Sequence, residues 1–250
     1  MTEAVIFDID GVLVDSPHER AWGDTLKQLL RTEWVDIADS TRYAPGRYTT
    51  EVYQRVVAGK PRREGAKALL RYFEIPDPDG SRTLRLCEMK QKRIRELIEQ
   101  GAFQAFEDGL RFALALKERG LRLAAASSSK NANRMLEQVL LEPFCREHSL
   151  HYPFITARTR LIDLFDVNVC GRDFAHGKPH PEIFLTACEQ LGVPLDRCLV
   201  VEDAPAGVRA AKRGGMRCIG VARQGEARLL RQAGADWVVA TLDEVNIEEL

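Results

Sequence analysis

The sequence predicts an α/β protein: a doubly wound, Rossmann-like parallel sheet interrupted after its first strand by an all-helical insert. Three observations carry that expectation. A short β-branched run, Ala4-Val5-Ile6-Phe7, ends in two carboxylates one residue apart, Asp8 and Asp10, followed by Gly11. From there to about residue 100 the apolar spacing is helical, with almost no strand signal. Beyond residue 111 helices alternate with short apolar runs, the pattern of parallel strands joined by helical crossovers.

The first strand, 4–7, has the length and composition of a buried parallel strand. Asp8 therefore sits at a strand's carboxyl end, the edge of an open parallel sheet where ligands bind. Gly11 allows a sharp turn that swings Asp10 back over Asp8 instead of leaving the two on opposite faces. Adjacent carboxylates repel; they coexist when one holds a proton or a divalent metal neutralises them, and oxygen ligands suit magnesium. By itself the tetrapeptide reads more readily as a solvated turn.

Residues 21–30 then read as a helix, with Trp22, Leu26, Leu29 and Leu30 on one stripe. Helices at 64–73 and 82–100 follow, the second with Leu86, Met89, Arg93, Ile94 and Leu97 on one mostly apolar face. Pro76-Asp77-Pro78-Asp79-Gly80 separates them as a loop. The chain divides accordingly into a catalytic core, 1–16 and 100–250, and a helical insert, 17–99, with hinges near 12–18 and 99–107. Core strands are expected at 121–126, 167–170, 198–201, 218–221 and 237–239. The segment 143–160 is a long connection where a direct one is expected. Its His148 and His151 lack the nearby partners of a metal site and read as surface residues.

With 250 residues, 45% hydrophobic and 29% charged, the chain can bury the cores of two such domains. A net charge of -1 gives no electrostatic case for nucleic acid or an anionic membrane as partner, so any anion site is local. No apolar run approaches the roughly 20 residues that span a bilayer. The six cysteines include no Cys-x-x-Cys pair and no signal-peptide pattern precedes the first strand, which fits a soluble protein of the reducing cytoplasm. Nothing in the sequence demands an oligomer, and a monomer suffices.

After strand 121–126, Ser127-Ser128-Ser129-Lys130-Asn131 leads into a helix with Met135, Leu136 and Val139 on one side. Hydroxyls, amides and an ammonium at a helix start suit an anion, although the same text also makes an ordinary serine-rich cap. Further on, Gly177-Lys178-Pro179-His180-Pro181-Glu182 opens a helix whose Ile183, Phe184, Ala187, Cys188 and Leu191 form a buried stripe. Lys178 can hold an ammonium in the crevice there, and His176 and His180 read as loop positions. Strand 198–201 runs into Glu202-Asp203, again acids at a strand's carboxyl end, where a magnesium shared with Asp8 would need them.

These four stretches, in this order, resemble the four motifs of the haloacid dehalogenase superfamily, and the insert resembles that superfamily's helical cap between the first two core strands. The resemblance implies Asp8 as the nucleophile that becomes an aspartyl phosphate and Asp10 as acid and base. It implies Gly11, Ser127 and Ser128 at the phosphoryl group, Lys178 neutralising it together with Asp8, and Mg2+ held by Asp8, Asp10, Glu202 and Asp203. A plain dehalogenase needs no second acid at Asp10, so phosphate chemistry is implied. Within the superfamily the chain is most similar to β-phosphoglucomutase-like proteins. His18, in His18-Glu19-Arg20-Ala21-Trp22, matches a hinge histidine that helps position the acid-base aspartate. Arg62, in Gly59-Lys60-Pro61-Arg62-Arg63, matches the grip on a distal phosphate; Lys90 matches a substrate-facing lysine, and Lys130 with Asn131 a further phosphate contact.

The implied partner is a small phosphorylated metabolite, a sugar phosphate: either β-glucose 1-phosphate isomerised to glucose 6-phosphate, or a phosphomonoester hydrolysed by a phosphatase. Two features depart from the mutase pattern. The segment from Asp15 to His18 is shorter, and 143–160 has no counterpart. Other classes fit less well. A receiver-like signalling module is about half this length, a catalytically silent binding protein is expected to lose Asp8 or Asp10, and phosphonate cleavage needs a Schiff-base lysine such as Lys90 or Lys60.

Overall fold

The computed structural model of the chain describes residues 2–250. In chain order its strands are β1 (Ala4–Phe7), β2 (Val14–Asp15), β3 (Gln104–Ala105), β4 (Arg122–Ala125), β5 (Val167–Asn168), β6 (Cys198–Glu202), β7 (Arg217–Val221) and β8 (Trp237–Val239). Six of them form one all-parallel sheet ordered β5-β4-β1-β6-β7-β8, the doubly wound arrangement expected. β1 is central and fully buried, which is why its residues are apolar on both faces. Val5 and Phe7 feed one core, where Phe7 meets Phe112 and Phe165 edge-on with ring centroids 6.1 and 6.2 Å away. Ala4 and Ile6 feed the other.

The helices are α1 (His18–Arg31), α2 (Val35–Ala38), α3 (Thr50–Val56), α4 (Arg62–Tyr72), α5 (Ser81–Glu99), α6 (Glu107–Glu118), α7 (Ala132–Leu136), α8 (Leu141–Glu147), α9 (Glu182–Leu191), α10 (Pro205–Arg213) and α11 (Ala227–Ala233). Residues of α6, α7 and α8 cover one sheet face and residues of α9, α10 and α11 the other. Helices α1 to α5 enclose a core of their own, in which Trp22, Leu26, Leu29, Leu69, Phe73 and Leu86 meet. The stripes expected on α1 and α9 are the buried faces; on α5 Leu86, Ile94 and Leu97 are buried, whereas Met89 and Arg93 are only partly covered and Lys90 is buried with the stripe.

The differences from expectation are local. Helix α1 begins at His18, because Pro17 supplies the carbonyl that accepts from Ala21 N at the first turn. Helices α2 and α3 have 4 and 7 residues, too short for apolar periodicity to declare. Strands β2 and β3 lie at the two expected hinges and pair with each other, Val14 opposite Ala105 and Asp15 opposite Gln104. The expected loop 143–160 is partly helical, and Phe144, Leu150, Tyr152, Phe154 and Ile155 pack onto the core. The protein thus holds this connection down by apolar contact. His148 lies against Phe144, with centroids 4.5 Å apart. The cysteines are all free thiols, and no described helix is long and apolar enough to cross a membrane.

Candidate active site

The carboxyl ends of β1, β4 and β6 converge on one cleft of about 1080 Å³, roofed by the helical insert. Asp8 is fixed by the ladder itself: its N–H donates to Val201 O at 2.9 Å, while Ala126 N donates to Phe7 O at 2.8 Å. These bonds set Asp8 between the Ser127 loop and the Glu202-Asp203 turn. Gly11 adopts φ +83°, and a Cβ there would lie 2.0 Å from Asp203 Oδ2. At the other acid, a Cβ on Gly207 would lie 1.6 Å from Glu202 Oε1. Both glycines are therefore space requirements of the acid cluster, and Gly11 is a turn former besides.

Lys178 is the cluster's cation. Its ammonium, fully buried, donates to Asp8 Oδ1, to Glu202 Oε1 at 2.7 Å and to Ala126 O at 3.3 Å, and it lies 4.8 Å from the Phe184 ring centroid. Burial works against the charge, but Asp8 and Glu202 outweigh it and push the pKa up. Glu202 spends its second oxygen on Ala204 N at 2.8 Å. Glu202, expected on the metal side, is thus the lysine's partner in this structure, because a fully buried carboxylate must satisfy both oxygens. Asp203 has no such cation: burial, then Glu202 and Asp8, raise its pKa well above the usual carboxylate range. A pocket that gathers Asp8, Asp10, Glu202 and Asp203 around Lys178 is short of positive charge, and an all-oxygen donor set of this kind fits magnesium.

Asp10 is differently held. Its Oδ2 accepts from Ser127 Oγ at 3.0 Å, while Oδ1 is buried without a hydrogen bond, 3.4 Å from His18 Nε2. Burial raises its pKa, and the nearby Ser16 and Ser127 hydroxyls oppose the rise. His18 Nε2 lies 2.9 Å from Ser129 Oγ, and its Nδ1 lies 2.6 Å from Lys90 Nζ on α5. With Lys90 in its ammonium form, which can only donate, Nδ1 carries the lone pair and Nε2 the proton. Burial first, then Lys90 and Arg62, keep the imidazole neutral by lowering its pKa well below the ordinary value. Lys90 is in turn lowered to about 7 by burial and by Arg62, and sits 5.1 Å from the Trp22 ring centroid. A hydrogen-bonded line thus runs from Lys90 to His18 and on to Ser129, with Asp10 beside the same histidine nitrogen.

The remaining expected residues divide. Among the described residues the Arg62 guanidinium, half-buried at the start of α4, makes no hydrogen bond or ion pair and faces the cleft. Ser127 Oγ is committed to Asp10 and accepts from Ser129 N at 3.0 Å. Ser128 Oγ donates to Gly59 O at 3.3 Å, joining sheet edge to insert. Asn131 does the same through Gln91 on α5, whose Nε2 donates to Asn131 Oδ1 at 3.1 Å. Lys130 departs from the phosphate-contact expectation: its ammonium turns outward to Gly171 O at 2.7 Å and Asp173 at 2.6 Å. The helix after it, α7, has only 5 residues, so its dipole is weaker than the expected longer helix would have.

One constraint went unnoticed in the sequence. Arg223, after β7, donates to Gly11 O at 2.9 Å, to Val12 O at 2.9 Å and to Asp108 at 3.0 Å, with its guanidinium 3.8 Å from the Phe106 ring centroid. It clamps the turn that carries Asp10, and no local motif marks an arginine placed by tertiary contact alone. Arg223→Met is expected to lower the urea midpoint by the equivalent of about 3 kcal/mol, since Asp108 is left buried without its cation. An unchanged midpoint would show that Thr241 and Leu242, which also bond Asp108, suffice.

A doubly wound sheet whose carboxyl edge gathers four acids, serine hydroxyls and a buried lysine beneath a helical roof is the core of an enzyme. The chain belongs to the haloacid dehalogenase-like hydrolase family, whose profile matches residues 2–215. It is 32% identical over 258 residues to the β-phosphoglucomutase of Mycobacterium tuberculosis, covering 97% of this chain and 90% of that one. It is 31% identical over 251 residues to a phosphorylated carbohydrates phosphatase of Thermotoga maritima, covering 98% and 97%. Among solved structures, CbbY from Rhodobacter sphaeroides in complex with xylulose-(1,5)bisphosphate matches with a TM-score of 0.67 at 25% identity, covering 98% of this chain and 97% of that one.

Proposed function

We propose that the protein transfers a phosphoryl group of a small sugar phosphate through Asp8, in the manner of a β-phosphoglucomutase. The observation that carries this reading is the unequal treatment of two neighbouring acids. Asp8 is bonded to a buried ammonium, whereas Asp10 keeps one buried oxygen unbonded beside a neutral histidine. The first arrangement suits an ionised nucleophile and the second an acid that holds and returns a proton.

In the proposed sequence Asp8 attacks phosphorus, Asp10 protonates the departing sugar oxygen, and Asp10 then takes the proton of the acceptor hydroxyl. Lys178 offsets charge at Asp8 throughout, and His18, oriented by Lys90, holds Asp10 in place. Asp8 and Asp203 would hold magnesium, with Asp10 on the adjoining turn and Glu202 acting through Lys178. Bound there, the ion would neutralise the acids and the transferring group. The insert, 17–99, would act as the cap that selects substrate. Its side of the cleft offers Arg62 without an anionic partner, and this suits a second phosphate at the far end of the substrate. The bisphosphate of the CbbY complex and the mutase among the relatives agree with that.

The test is phosphorus NMR of the protein with magnesium, β-glucose 1-phosphate and a trace of β-glucose 1,6-bisphosphate. Glucose 6-phosphate without much inorganic phosphate supports the mutase. Accumulating inorganic phosphate instead makes the protein a phosphatase, as in the Thermotoga relative. Arg62→Ala is expected to raise KM for a bisphosphate by about 10–100-fold, the loss of a charge-assisted contact or two, with less effect on a monophosphate. Equal losses on both would remove Arg62 from the distal site.

A further inference from the structure

The loop that delivers Lys178 carries a second cluster of donor atoms on its outer side. His176 Nδ1 lies 3.3 Å and His180 Nδ1 3.9 Å from the same oxygen, Glu182 Oε2, and one donor atom from each of the three residues lies within 4.8 Å of the other two. The two imidazoles face each other with centroids 4.5 Å apart and planes inclined by 32°. The carboxylate is held in place: Ala175 N donates to Oε1 at 3.1 Å and His176 N to Oε2 at 2.8 Å. Glu182 N in turn donates to the one lone pair of His180 Nδ1 at 3.3 Å, so an ion taken at that nitrogen replaces this hydrogen bond.

We propose that His176, His180 and Glu182 form a second metal site, distinct from the acid cluster, that takes a borderline transition-metal ion such as zinc. Donor atoms about 2.0–2.2 Å from a tetrahedral ion stand roughly 3.4 Å apart, and the two measured separations bracket that value closely enough for side-chain rotation to close the site. Two imidazoles and one carboxylate favour zinc over magnesium, whereas the all-oxygen cluster around Asp8 has the opposite preference. A single protein can therefore keep both ions apart by donor chemistry. Each histidine is two residues from Lys178, so an ion here ties the two sides of that loop together across the lysine. All three side chains are solvent-accessible, which leaves water to complete the ion's shell.

The test is calorimetric titration of the whole protein with zinc chloride in a large excess of Mg2+, which occupies the oxygen-rich cluster. The wild type and Asp203→Asn are expected to bind one zinc with similar affinity, and His180→Ala to bind it more than about tenfold more weakly. His180 is half-exposed, so that substitution spares the fold; Glu182→Gln, which keeps the carboxylate's shape, gives a second weakened variant. Equal affinity in wild type and His180→Ala, loss of zinc in Asp203→Asn instead, or no zinc binding at all overturns the proposal.

Discussion

Asp8→Asn is expected to lower turnover by at least about 10⁴-fold while leaving the fold intact. The amide is the same size as the carboxylate, so the β1 ladder and the neighbouring turns keep their geometry. What disappears is the proposed nucleophile. An amide oxygen does not attack phosphorus, and no other carboxylate occupies Asp8's place: Glu202 is held by Lys178 and Ala204, and Asp10 faces Ser127 and His18. Steady-state kinetics and mass spectrometry of the quenched protein measure this directly, since the wild type should show a phosphorylated chain and the variant none. Normal turnover in Asp8→Asn would end the proposed mechanism.

The second large effect is expected at Lys178. Lys178→Met keeps most of the volume against Phe184 but leaves Asp8 and Glu202 as two buried carboxylates without their cation. Breaking a buried pair in this way costs about 3–5 kcal/mol, and turnover should fall by at least about 10³-fold because charge on the transferring group is no longer offset. The cost has a pH signature. Burial already raises the pKa values of Asp8 and Glu202, and Lys178 opposes the rise in both. Without the lysine both folded pKa values climb further above their unfolded ones. The folded variant then binds more protons than the unfolded chain, so its stability falls as pH rises through the raised values and recovers as pH is lowered toward the ordinary carboxylate range. Urea midpoints of wild type and variant should therefore converge from pH 8 to about pH 5. A gap that stays constant over that range would mean that lost packing, not uncompensated charge, is the cause.

Much of the site was legible because each chemical group directly follows an apolar run. Asp8 follows β1, Ser127 follows β4 and Asp203 follows β6, so recognising the strands also placed these groups at one edge. Lys178 was legible for a different reason: the stripe Ile183, Phe184, Ala187, Cys188 and Leu191 fixed the helix just after it. What the sequence concealed depends on tertiary approach. Arg223 and Ser129 have no local pattern, and Gln91 is one polar residue among many on α5, yet each bonds across elements distant in the chain. The fate of Lys130 was hidden similarly, since Asp173 and the Gly171 carbonyl reach it only after β5 takes its place beside β4. The strands β2 and β3 have two residues each, below what alternation can register.

That small ribbon has a consequence for how the protein can change over generations. Paired antiparallel residues stand about 5 Å apart, so everything from Ser16 to Phe103 leaves and re-enters the parallel-sheet half through one doorway. To the parallel sheet, the whole helical roof is a long hairpin loop. Lengthening or replacing such a loop costs little conformational entropy, because the cost grows only with the logarithm of its length. Descendants of this chain can thus exchange the helical roof while the strand-end acids keep their places, so the two sides of the cleft need not be selected together.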